Sequence, residues 1–483
     1  MKAVLYYPKN FVKATYVPPY SLLYPAKALL DNGHEVVIID ARFDGDKRVD
    51  SELSDADILG VSAGMNLQYA TSLSTLSRAK EYGCRVLLGG VFATLNREFL
   101  LKNPDVDFII RGESLKKIGE VISEDCRKVS DVSYLCDDKI VDNPASDGPV
   151  DLDHFMPLPW DLIKPDRYVH NYKGMRSYYH TTSRGCPHRC VYCYQKSFWK
   201  RKWRGITPEK VFEDIDALSE MVDFDALYLF DDNFMANRRR AYDIMDGFFE
   251  RDLKWGCLTR ADYINEEFVS KMKDKGCYKV CIGAESGSQR TLERMNKDIK
   301  VEDTKHAAEL IGKNDLYSEF FFMIGYLGES MEDVSKTVDL ADYVEEMCNA
   351  ETFIRVTLPF FGTEYYDMAF DAGFRRGEDL KSLCREDWTN NSPELPWFTP
   401  SENQKLRSIA YMSEMAFLKK KSLNELPIWK QIFLRSLGPI IDFRWKHRIW
   451  NYPIEILPYQ SLSYYSERKI LNEVIGGVGR NGA

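Results

Sequence analysis

The chain has 483 residues, of which 44% are hydrophobic and 29% are charged. This composition is typical of a globular protein long enough for about two to four domains, and it excludes a disordered, collagen-like or coiled-coil chain. The 65 basic and 74 acidic side chains give a net charge of −9. Because nucleic-acid-binding proteins usually carry a basic excess, no nucleic-acid partner is expected.

The sequence shows no membrane-spanning or export signal. It lacks a run of about 18 apolar residues, which a spanning helix would need. The first residues enter a strand pattern without a signal-peptide core, so a cytoplasmic location is predicted. The 11 cysteines are an odd number in a long chain, which disfavours a disulfide framework and favours metal or redox chemistry.

Residues 1–130 alternate short apolar strands with amphipathic helical stretches. The predicted strands are Ala3–Tyr7, Glu35–Asp40, Ile58–Ser62, Arg85–Gly89 and Phe108–Arg111. This alternation predicts an α/β fold with a doubly wound parallel sheet. Ligands bind such sheets at the carboxyl ends of the strands. The residues expected there are Ser62, Gly89, Gly90, Gly112 and Glu113. Small residues at these ends leave room for a large ligand, although glycines that only make turns would give the same pattern.

Residues 131–176 differ from this pattern. A hairpin pattern surrounds Asp137 and Asp138, and five prolines follow between Asn143 and Pro165. Prolines with scattered acidic residues predict an interdomain linker that lies on the surface.

A second βα series fills residues 177–390. Its predicted strands are Ser177–Ser183, Ala226–Phe230, Trp255–Thr259, Lys279–Ile282, Glu319–Ile324 and Phe353–Leu358. Six strands at this rhythm predict a partial (βα)6 barrel, with catalytic groups at the carboxyl ends of the strands. Polar residues follow the strands there, and Asp231 and Asp232 either face a substrate or are solvated acids of the rim. Residues 391–483 break the rhythm and predict a mostly helical C-terminal region.

Three cysteines lie within eight residues, on the loop that follows the first predicted barrel strand. Cys186, Cys190 and Cys193 have the spacing Cys-x3-Cys-x2-Cys. Iron–sulfur clusters normally take four cysteines, so three leave one iron open to a small chelating molecule. The alternative is a zinc site with His188 as a fourth ligand. However, His188 lies between the first two cysteines, whereas zinc ligands usually come as separated pairs.

The segment from Thr182 to Cys193 resembles the signature of the radical S-adenosylmethionine (SAM) enzymes. Further stretches that are similar to motifs of this family are Asp231 to Phe234, Gly283 to Ser286, Phe322 to Glu329 and Leu358 to Thr363. Leu327 stands where the family motif carries proline. The resemblance covers about residues 177–375 and implies a radical SAM enzyme built on a partial barrel.

The resemblance also implies roles for individual residues. The ligands of a [4Fe–4S] cluster would be Cys186, Cys190 and Cys193, with SAM chelating the fourth iron. The backbone of Tyr192 would help to seat the adenine. Arg260 and Glu285 would hold the methionine carboxylate and the ribose hydroxyls, with Ser286 nearby, because an arginine fork suits a carboxylate and a carboxylate suits paired hydroxyls. Ion pairs on the barrel rim are the alternative for Arg260 and Glu285.

The N-terminal unit is similar to that of the cobalamin-binding branch of the family. The resemblance implies that the nucleotide tail of cobalamin lies between sheet and helices and that the corrin rests on the strand ends, at Ser62, Gly89, Gly90, Gly112 and Glu113. Many such domains carry Asp-x-His-x-x-Gly, whose histidine ligates cobalt, yet none of the seven histidines here has Asp two residues before it. A relic domain that binds no cobalamin is the alternative.

The first hypothesis for function is a cobalamin-dependent C-methyltransferase that acts on an unactivated carbon through a 5′-deoxyadenosyl radical. The second is a radical cyclase, oxidase or rearrangement enzyme without methyl transfer, and the third is a non-catalytic iron–sulfur electron carrier. Polar residues at five strand ends argue against a carrier, which needs no such pocket. The expected partners are a small-molecule substrate and an external one-electron donor of the flavodoxin or ferredoxin type.

Basic and aromatic residues interleave between Leu426 and Tyr452. The basic residues are Lys430, Arg435, Arg444, Lys446 and Arg448, and Asp442 is the acidic one. Such a pattern suits peripheral contact with a membrane, where a hydrophobic substrate could be collected. The alternative is that this segment packs against the barrel and closes its open side.

Overall fold

A computed structural model describes residues 1–9, 16–113, 115, 117–123, 125–146, 148, 150–348, 350–386, 393–420 and 428–451. Two seven-stranded sheets covered by helices contain most of the strands. Buried apolar side chains form one cluster that extends from the first sheet to the second. The last residues of the predicted C-terminal region, 452–483, lie outside the described part.

The first sheet has the strand order β2-β1-β3-β4-β5-β6-β7. Its strands are β1 (Lys2–Tyr7), β2 (Glu35–Asp40), β3 (Ile58–Ser62), β4 (Arg85–Gly89), β5 (Phe108–Ile110), β6 (Val132–Cys136) and β7 (Lys139–Asp142). The first five run parallel, which confirms the predicted sheet. The predicted hairpin, β6 with β7, adds antiparallel to β5, so the sheet continues beyond residue 130.

Helices cover both faces of this sheet. They are α1 (Tyr20–Asp31), α2 (Asp46–Leu53), α3 (Asn66–Glu81), α4 (Val91–Leu95), α5 (Arg97–Leu100) and α6 (Ile118–Ser123). Side chains of α1 and α6 pack on one face, and those of α2, α3 and α4 pack on the other. The sequence did not indicate α2, because only Val49 and Leu53 of its eight residues are buried.

The predicted surface linker packs in the core instead. Trp160 and Tyr168 are both buried. Asp214 accepts hydrogen bonds through Oδ1 from the backbone N–H of Leu158 (2.6 Å) and from Nε1 of Trp160 (2.9 Å). The hydroxyl of Tyr168 donates to Oδ2 of Asp40 at 2.9 Å. The prolines set turns as expected, but the aromatic side chains between them bury too much apolar area to stay outside.

The second sheet has the order β16-β15-β14-β13-β12-β9-β8. The strands of this part of the chain are β8 (His170–Tyr172), β9 (Met175–His180), β10 (Ser183–Arg184), β11 (Arg204–Gly205), β12 (Ala226–Leu229), β13 (Lys254–Arg260), β14 (Cys277–Glu285), β15 (Ser318–Ile324) and β16 (Glu351–Val356). The six predicted strands run parallel as a partial barrel. β8 is an additional antiparallel edge strand, and β10 pairs with β11 apart from the sheet.

Helices lie between the strands of this part of the chain. They are α7 (Gln195–Trp199), α8 (Pro208–Ser219), α9 (Arg238–Glu250), α10 (Glu266–Asp274), α11 (Gln289–Arg294), α12 (Val301–Lys313) and α13 (Met331–Cys348). Two more, α14 (Glu364–Asp371) and α15 (Leu380–Glu386), follow the last strand. The side chains of Asn237, Asn265 and Ser288 accept hydrogen bonds at the starts of α9, α10 and α11. These caps satisfy exposed N–H groups and set where each helix begins.

Two further helices, α16 (Pro400–Lys420) and α17 (Ile428–Lys446), confirm the helical C-terminal region in its described part. Ser413 of α16 accepts a hydrogen bond from the N–H of Ile354 at 3.0 Å, so α16 covers β16 at the edge of the sheet. Trp445 of α17 donates from Nε1 to Asp342 at 2.8 Å. Within the described ranges, no helix is long and apolar enough to cross a membrane.

Candidate active site

The three predicted cysteine ligands lie on one loop between β10 and α7, which we call the cysteine loop. Its middle cysteine, Cys190, is buried, and the other two are half-buried. The backbone of the next residue is held on both sides: the N–H of Val191 donates to the carbonyl oxygen of Met295, and its own carbonyl accepts from the N–H of Tyr365, both at 3.0 Å. These two bonds fix the path of the loop.

A buried carboxylate anchors the chain just before this loop. Asp231, which follows β12, accepts hydrogen bonds through Oδ1 from the N–H groups of Thr182 (2.6 Å) and Ser183 (3.1 Å). Through Oδ2 it accepts from the hydroxyls of the same two residues, at 2.6 and 2.7 Å. Asp231 is only 3% exposed, so it is neither open to a substrate nor a solvated acid, the two interpretations of the sequence. It positions the strand from which the cysteine loop starts.

Asp232 lies on the other side of the same turn. Its Oδ2 accepts a hydrogen bond from the N–H of Gly185 at 2.8 Å, and its Oδ1 accepts one from the side-chain amide of Gln195. Burial raises the pKa of Asp232 to about 6. Gly185 has a φ of +81°, and a Cβ there would collide with the carbonyl oxygen of Lys202. Glycine is therefore required immediately before the first cysteine.

Arg260 and Glu285 both lie beside the cysteine loop, and both are ion-paired. Nη1 of Arg260 lies 4.0 Å from Sγ of Cys190. The Arg260 guanidinium also donates to both carboxylate oxygens of Asp262, at 2.9 and 3.1 Å. Oε1 of Glu285 lies 2.7 Å from Nζ of Lys297. The rim ion pairs considered from the sequence are thus present. Their roles toward SAM stay predictions.

Lys297 is a site residue that the sequence analysis missed. It lies three residues after the end of α11, in a turn with no motif to signal it, and it is 5% exposed. Its ammonium pairs with Glu285, and its carbonyl accepts from Nη2 of Arg260 at 2.7 Å. Glu285 has a left-handed φ of +66°, a conformation that costs a non-glycine residue roughly 1–2 kcal/mol.

Tyr192 and Ser286 differ in their placement. Tyr192 is half-buried against the apolar cluster of Val191 and Met295. Burial, and after it the charge of Glu285, raises the pKa of Tyr192 well above its usual value. The hydroxyl of Ser286 is fully buried, lies 3.1 Å from that of Thr337 and accepts from the N–H of Ser288. The Ser286 hydroxyl is therefore not accessible to a ligand in this structure.

The donor chemistry of the cysteine loop fits an iron–sulfur cluster, whose ligands are thiolates. Burial raises the pKa of the Cys193 thiol to about 12, and metal coordination deprotonates such a thiol. His188, the fourth ligand of the zinc alternative, has Nε2 at 3.1 Å from the hydroxyl of Tyr263. Considering only the described residues, no three Cys, His, Asp or Glu side chains converge on a position for one metal ion.

A cavity lies between the carboxyl ends of the two sheets, and we call it the inter-sheet cavity. It contains about 1310 Å³ of space not filled by protein atoms, part of it open to solvent. The first sheet lines it with all five predicted residues: Ser62, Gly89, Gly90, Gly112 and Glu113. The barrel contributes the aromatic residues Tyr194, Phe198, Trp199 and Phe230. Because α7 begins two residues after Cys193, the cavity wall and the cysteine loop are contiguous in the chain.

The glycines leave the inter-sheet cavity open where a corrin is predicted. A Cβ at Gly89 or Gly112 would meet no protein atom within 4 Å, so a side chain there would occupy the cavity. Gly90 has a φ of +105°, and its Cβ would lie 2.8 Å from the carbonyl oxygen of Ala63. Apolar side chains such as Leu87 line the cavity as well. The cavity therefore has open space for a broad ligand at its glycines and a lining with both apolar and polar side chains.

Glu113 joins the two sheets at the edge of this cavity. Its Oε1 accepts a hydrogen bond from Nη1 of Arg184 at 2.8 Å, and its other oxygen pairs with Arg204. The guanidinium of Arg184 also stacks on Tyr24, 3.7 Å from the ring centroid. Since Arg184 and Arg204 belong to the paired strands β10 and β11, Glu113 links the first sheet to the base of the cysteine loop.

Some polar strand-end residues serve the fold rather than a ligand. Glu329 accepts hydrogen bonds through Oε2 from the N–H groups of Gly325 (2.6 Å) and Tyr326 (3.0 Å), and burial raises its pKa to about 8. The hydroxyl of Thr363 caps α14 by accepting from the N–H of Tyr366 at 3.2 Å. The polar ring predicted at five strand ends is therefore only partly available to a ligand.

Two protein-family descriptions match the chain. Residues 181–341 match the radical SAM superfamily, and residues 12–121 match the B12-binding domain. The first range contains the cysteine loop and the second contains most of the strand ends that line the inter-sheet cavity.

The chain is also similar to individual proteins. It is 27% identical over 424 residues to an uncharacterized methyltransferase of Pyrococcus horikoshii, a match that covers 83% of this chain and 88% of that protein. It is 28% identical over 354 residues to an anaerobic magnesium-protoporphyrin IX monomethyl ester cyclase of Rubrivivax gelatinosus, covering 69% and 63%. The solved structure of the cobalamin-dependent S-adenosylmethionine radical enzyme OxsB matches 96% of this chain and 75% of its own, with a TM-score of 0.73 at 16% identity. That likeness confirms the fold.

Proposed function

The chain belongs to the radical SAM superfamily and carries a B12-binding domain, and from this premise we propose that it is a cobalamin-dependent enzyme that methylates an unactivated carbon of a small molecule. Its cofactors are a [4Fe–4S] cluster, SAM and cobalamin. The similarity to a methyltransferase over 83% of the chain supports methyl transfer. The match to the Rubrivivax cyclase covers a smaller share of both proteins.

One observation carries the proposal: the wall of the inter-sheet cavity continues along the chain into the cysteine loop through Tyr194 and α7. Phe198 and Trp199 of α7 line the cavity together with Gly89 and Gly112 of the first sheet. The same helix follows directly on Cys193. A methyl carrier in the cavity and a cluster on the loop would therefore be neighbours, which methyl transfer between cofactors and substrate requires.

The residues that would hold each group follow from this placement. The cluster would be held by Cys186, Cys190 and Cys193, SAM by Tyr192, Arg260, Glu285 and Lys297, and cobalamin by Ser62, Gly89, Gly90, Gly112 and Glu113. When bound, the cluster and SAM supply one-electron chemistry that removes a substrate hydrogen atom, and cobalamin supplies the methyl group. An external donor of the flavodoxin or ferredoxin type supplies the electron.

The chain's own residues orient these groups and keep water out. Asp231 and Asp232 hold both ends of the turn that precedes the cysteine loop. Phe198, Trp199 and Phe230 give the barrel side of the inter-sheet cavity an apolar surface. Excluding water protects a reactive radical from side reactions.

The test of function is product analysis with methyl-deuterated SAM. Anaerobically reconstituted protein with hydroxocobalamin, a reductant and candidate substrates should give a product heavier by one deuterated methyl group. An altered product without the label would support the cyclase, oxidase or rearrangement hypothesis instead.

A cluster control accompanies this experiment. The reconstituted protein should hold about four irons per chain. The triple Cys186, Cys190, Cys193→Ala variant should lose the iron and all SAM cleavage. If that variant kept both, the assignment of the cysteine loop would be wrong.

We further propose that the substrate is hydrophobic and is collected at an anionic membrane surface. α17 leaves Ile428, Ile432 and Phe443 exposed, with Arg435 and Lys446 exposed on the same helix. Apolar side chains interleaved with cations suit such a surface. The packing alternative accounts for the face of α17 that bonds to α13, but not for these exposed residues.

Sedimentation with anionic vesicles tests the membrane contact. Binding should weaken at high salt, and Ile432→Ser with Phe443→Ser should reduce it, whereas Met221→Ser, an exposed apolar position on another part of the surface, should not. Full-length protein that stays in the supernatant at low salt would leave α17 with its packing role alone.

A further inference from the structure

A second cavity adjoins the inter-sheet cavity and is rich in positive charge. It contains about 1110 Å³ of space not filled by protein atoms, part of it open to solvent. Its basic side chains are Arg97, Arg111, Lys200, Lys202 and Arg204. Among the lining residues that the structure describes, only Glu113 and Asp131 are acidic. We call it the cationic cavity.

The charge balance of the cationic cavity differs from that of the whole protein. Five cations against two acids give its described lining a net charge of +3, whereas the whole chain carries −9. Arg97 is paired with Asp142 at 2.9 Å, so the excess positive charge comes from Arg111, Lys200 and Lys202. A concave surface that carries charge of one sign focuses its electrostatic field into the space that it encloses. An anion is therefore the ligand that this lining attracts.

Two buried donors in this cavity lack acceptors among the described residues. Nε of Arg111 and Nε of Arg204 are both buried, and no described group accepts a hydrogen bond from either. Nε of Arg111 lies 4.0 Å from Asp142, beyond hydrogen-bond distance. Buried donors normally have partners, because an unpaired one loses its hydrogen bond to water without replacement. The two guanidinium groups thus offer donors for an acceptor that the described residues do not provide.

The loop after α7 completes the cationic cavity. Lys200 and Lys202 are exposed on it. Lys200 and Arg201 have left-handed φ values of +52° and +59°, so the chain turns sharply just after Trp199. The two lysines are mobile donors beside the fixed arginine forks, a combination that suits the oxygens of a phosphate or a carboxylate.

We propose that the cationic cavity is a binding site for a phosphate or carboxylate group carried by a molecule that extends into the inter-sheet cavity. The two cavities share Gly112, Glu113, Phe198 and Trp199 as lining residues, so one ligand can reach both. The group belongs either to the substrate or to the phosphodiester of cobalamin. Only the identity of this molecule rests on the proposed function.

The first experiment uses inorganic phosphate and acetate on protein without cobalamin, titrated by calorimetry against chloride at equal ionic strength. Saturable binding that weakens with salt is expected. Lys202→Glu and Lys200→Glu should each weaken it by about tenfold, the effect of removing one charge-assisted contact worth about 1.4 kcal/mol. Lys202→Arg should retain it. Lys102→Ala, an exposed lysine outside the cavity, is the matched control.

The second experiment identifies the source of the anion. Dialysis compares cobalamin with cobinamide, which lacks the nucleotide phosphate. If Lys202→Glu weakens binding of cobalamin but not of cobinamide, the site holds the cofactor phosphodiester. If Lys202→Glu binds cobalamin and cobinamide as the unmodified protein does but no longer binds phosphate, the site holds an acidic group of the substrate.

The proposal is overturned if neither phosphate nor acetate binds saturably, or if Lys202→Glu and Lys200→Glu bind them as Lys102→Ala does. Neither result depends on methyl transfer, so the proposed function can stand when this inference fails. Conversely, a product without the deuterated methyl group would contradict methyl transfer but would leave the inference of an anion site unchanged.

Discussion

Removing the Asp231 carboxylate should destabilise the protein and release the base of the cysteine loop. Asp231 accepts four hydrogen bonds from Thr182 and Ser183, two from backbone N–H groups and two from hydroxyls. Asp231→Ala removes all four acceptors, whereas Asp231→Asn keeps the shape of the side chain and removes its charge.

The magnitudes for these two variants follow from what each leaves unpaired. In Asp231→Ala the two hydroxyls can rotate to other acceptors, but the two buried N–H groups cannot. Each orphaned donor costs about 1–3 kcal/mol, so the free energy of unfolding should fall by about 2–6 kcal/mol. In Asp231→Asn the amide oxygen still accepts both N–H groups and the amide nitrogen donates to the hydroxyls, so a loss of about 1 kcal/mol is expected.

Urea unfolding midpoints and iron content after anaerobic reconstitution measure these effects. Asp225→Asn is the matched control, since Asp225 lies at the exposed opposite end of β12 and accepts a backbone bond from Arg176 at 2.8 Å. The loss of stability and of iron content should be largest in Asp231→Ala, smaller in Asp231→Asn and smallest in Asp225→Asn. Asp231→Ala protein with a control-like midpoint and full iron content would refute the anchoring role.

Three further predictions concern other parts of the molecule. Gly89→Val should abolish hydroxocobalamin retention in equilibrium dialysis, whereas Gly45→Val, whose Cβ also meets no atom within 4 Å, should not; equal retention would contradict the fit to a corrin. Glu113→Gln should weaken the pairs with Arg184 and Arg204 and increase hydrogen exchange of β10 and β11; unchanged exchange would contradict the linking role. Burial acts to raise the pKa of Asp333, but hydrogen bonds from Ser330 and Ser288 outweigh it and hold that pKa well below its usual value. The Asp333 carboxylate therefore stabilises the fold above about pH 4, and this stabilisation is lost as pH falls. In Asp333→Asn the urea unfolding midpoint should fall less steeply between about pH 5 and pH 3 than in the unmodified protein. An equally steep fall in both proteins would contradict this.

The strands could be predicted closely because their apolar runs are short and bounded by turn residues. Glu35–Asp40, Ile58–Ser62 and Arg85–Gly89 have the predicted limits. The edge strand His170–Tyr172 was missed because its pattern is polar and only three residues long. The sequence analysis wrongly placed the linker on the surface. Its prolines indicate turns, but they do not indicate that the aromatic side chains between those turns are buried.

The site could be predicted only where a motif marks it. The spacing and the family resemblance marked the three cysteines, which lie on one loop, and the strand-end glycines all line the inter-sheet cavity. Lys297 could not be found, since its role depends on a turn that returns to Glu285 and Arg260 in three dimensions. For Ser286 and Asp231, the sequence indicated the strand end but not the direction of the side chain, and alternation at an irregular strand end does not settle that direction.

The bonds that tie the segment between the sheets to both of them bear on how a large cofactor would be loaded. Arg167 of this segment pairs with Asp44, which follows β2 of the first sheet, at 2.9 Å. Leu158 and Trp160 bond to Asp214 of α8, on the barrel side. The segment therefore acts as a brace rather than a hinge, and swinging the halves apart would break both anchorages. We expect cobalamin to slide in edgewise through the solvent-open side of the inter-sheet cavity, so that purified apoprotein takes it up without denaturant.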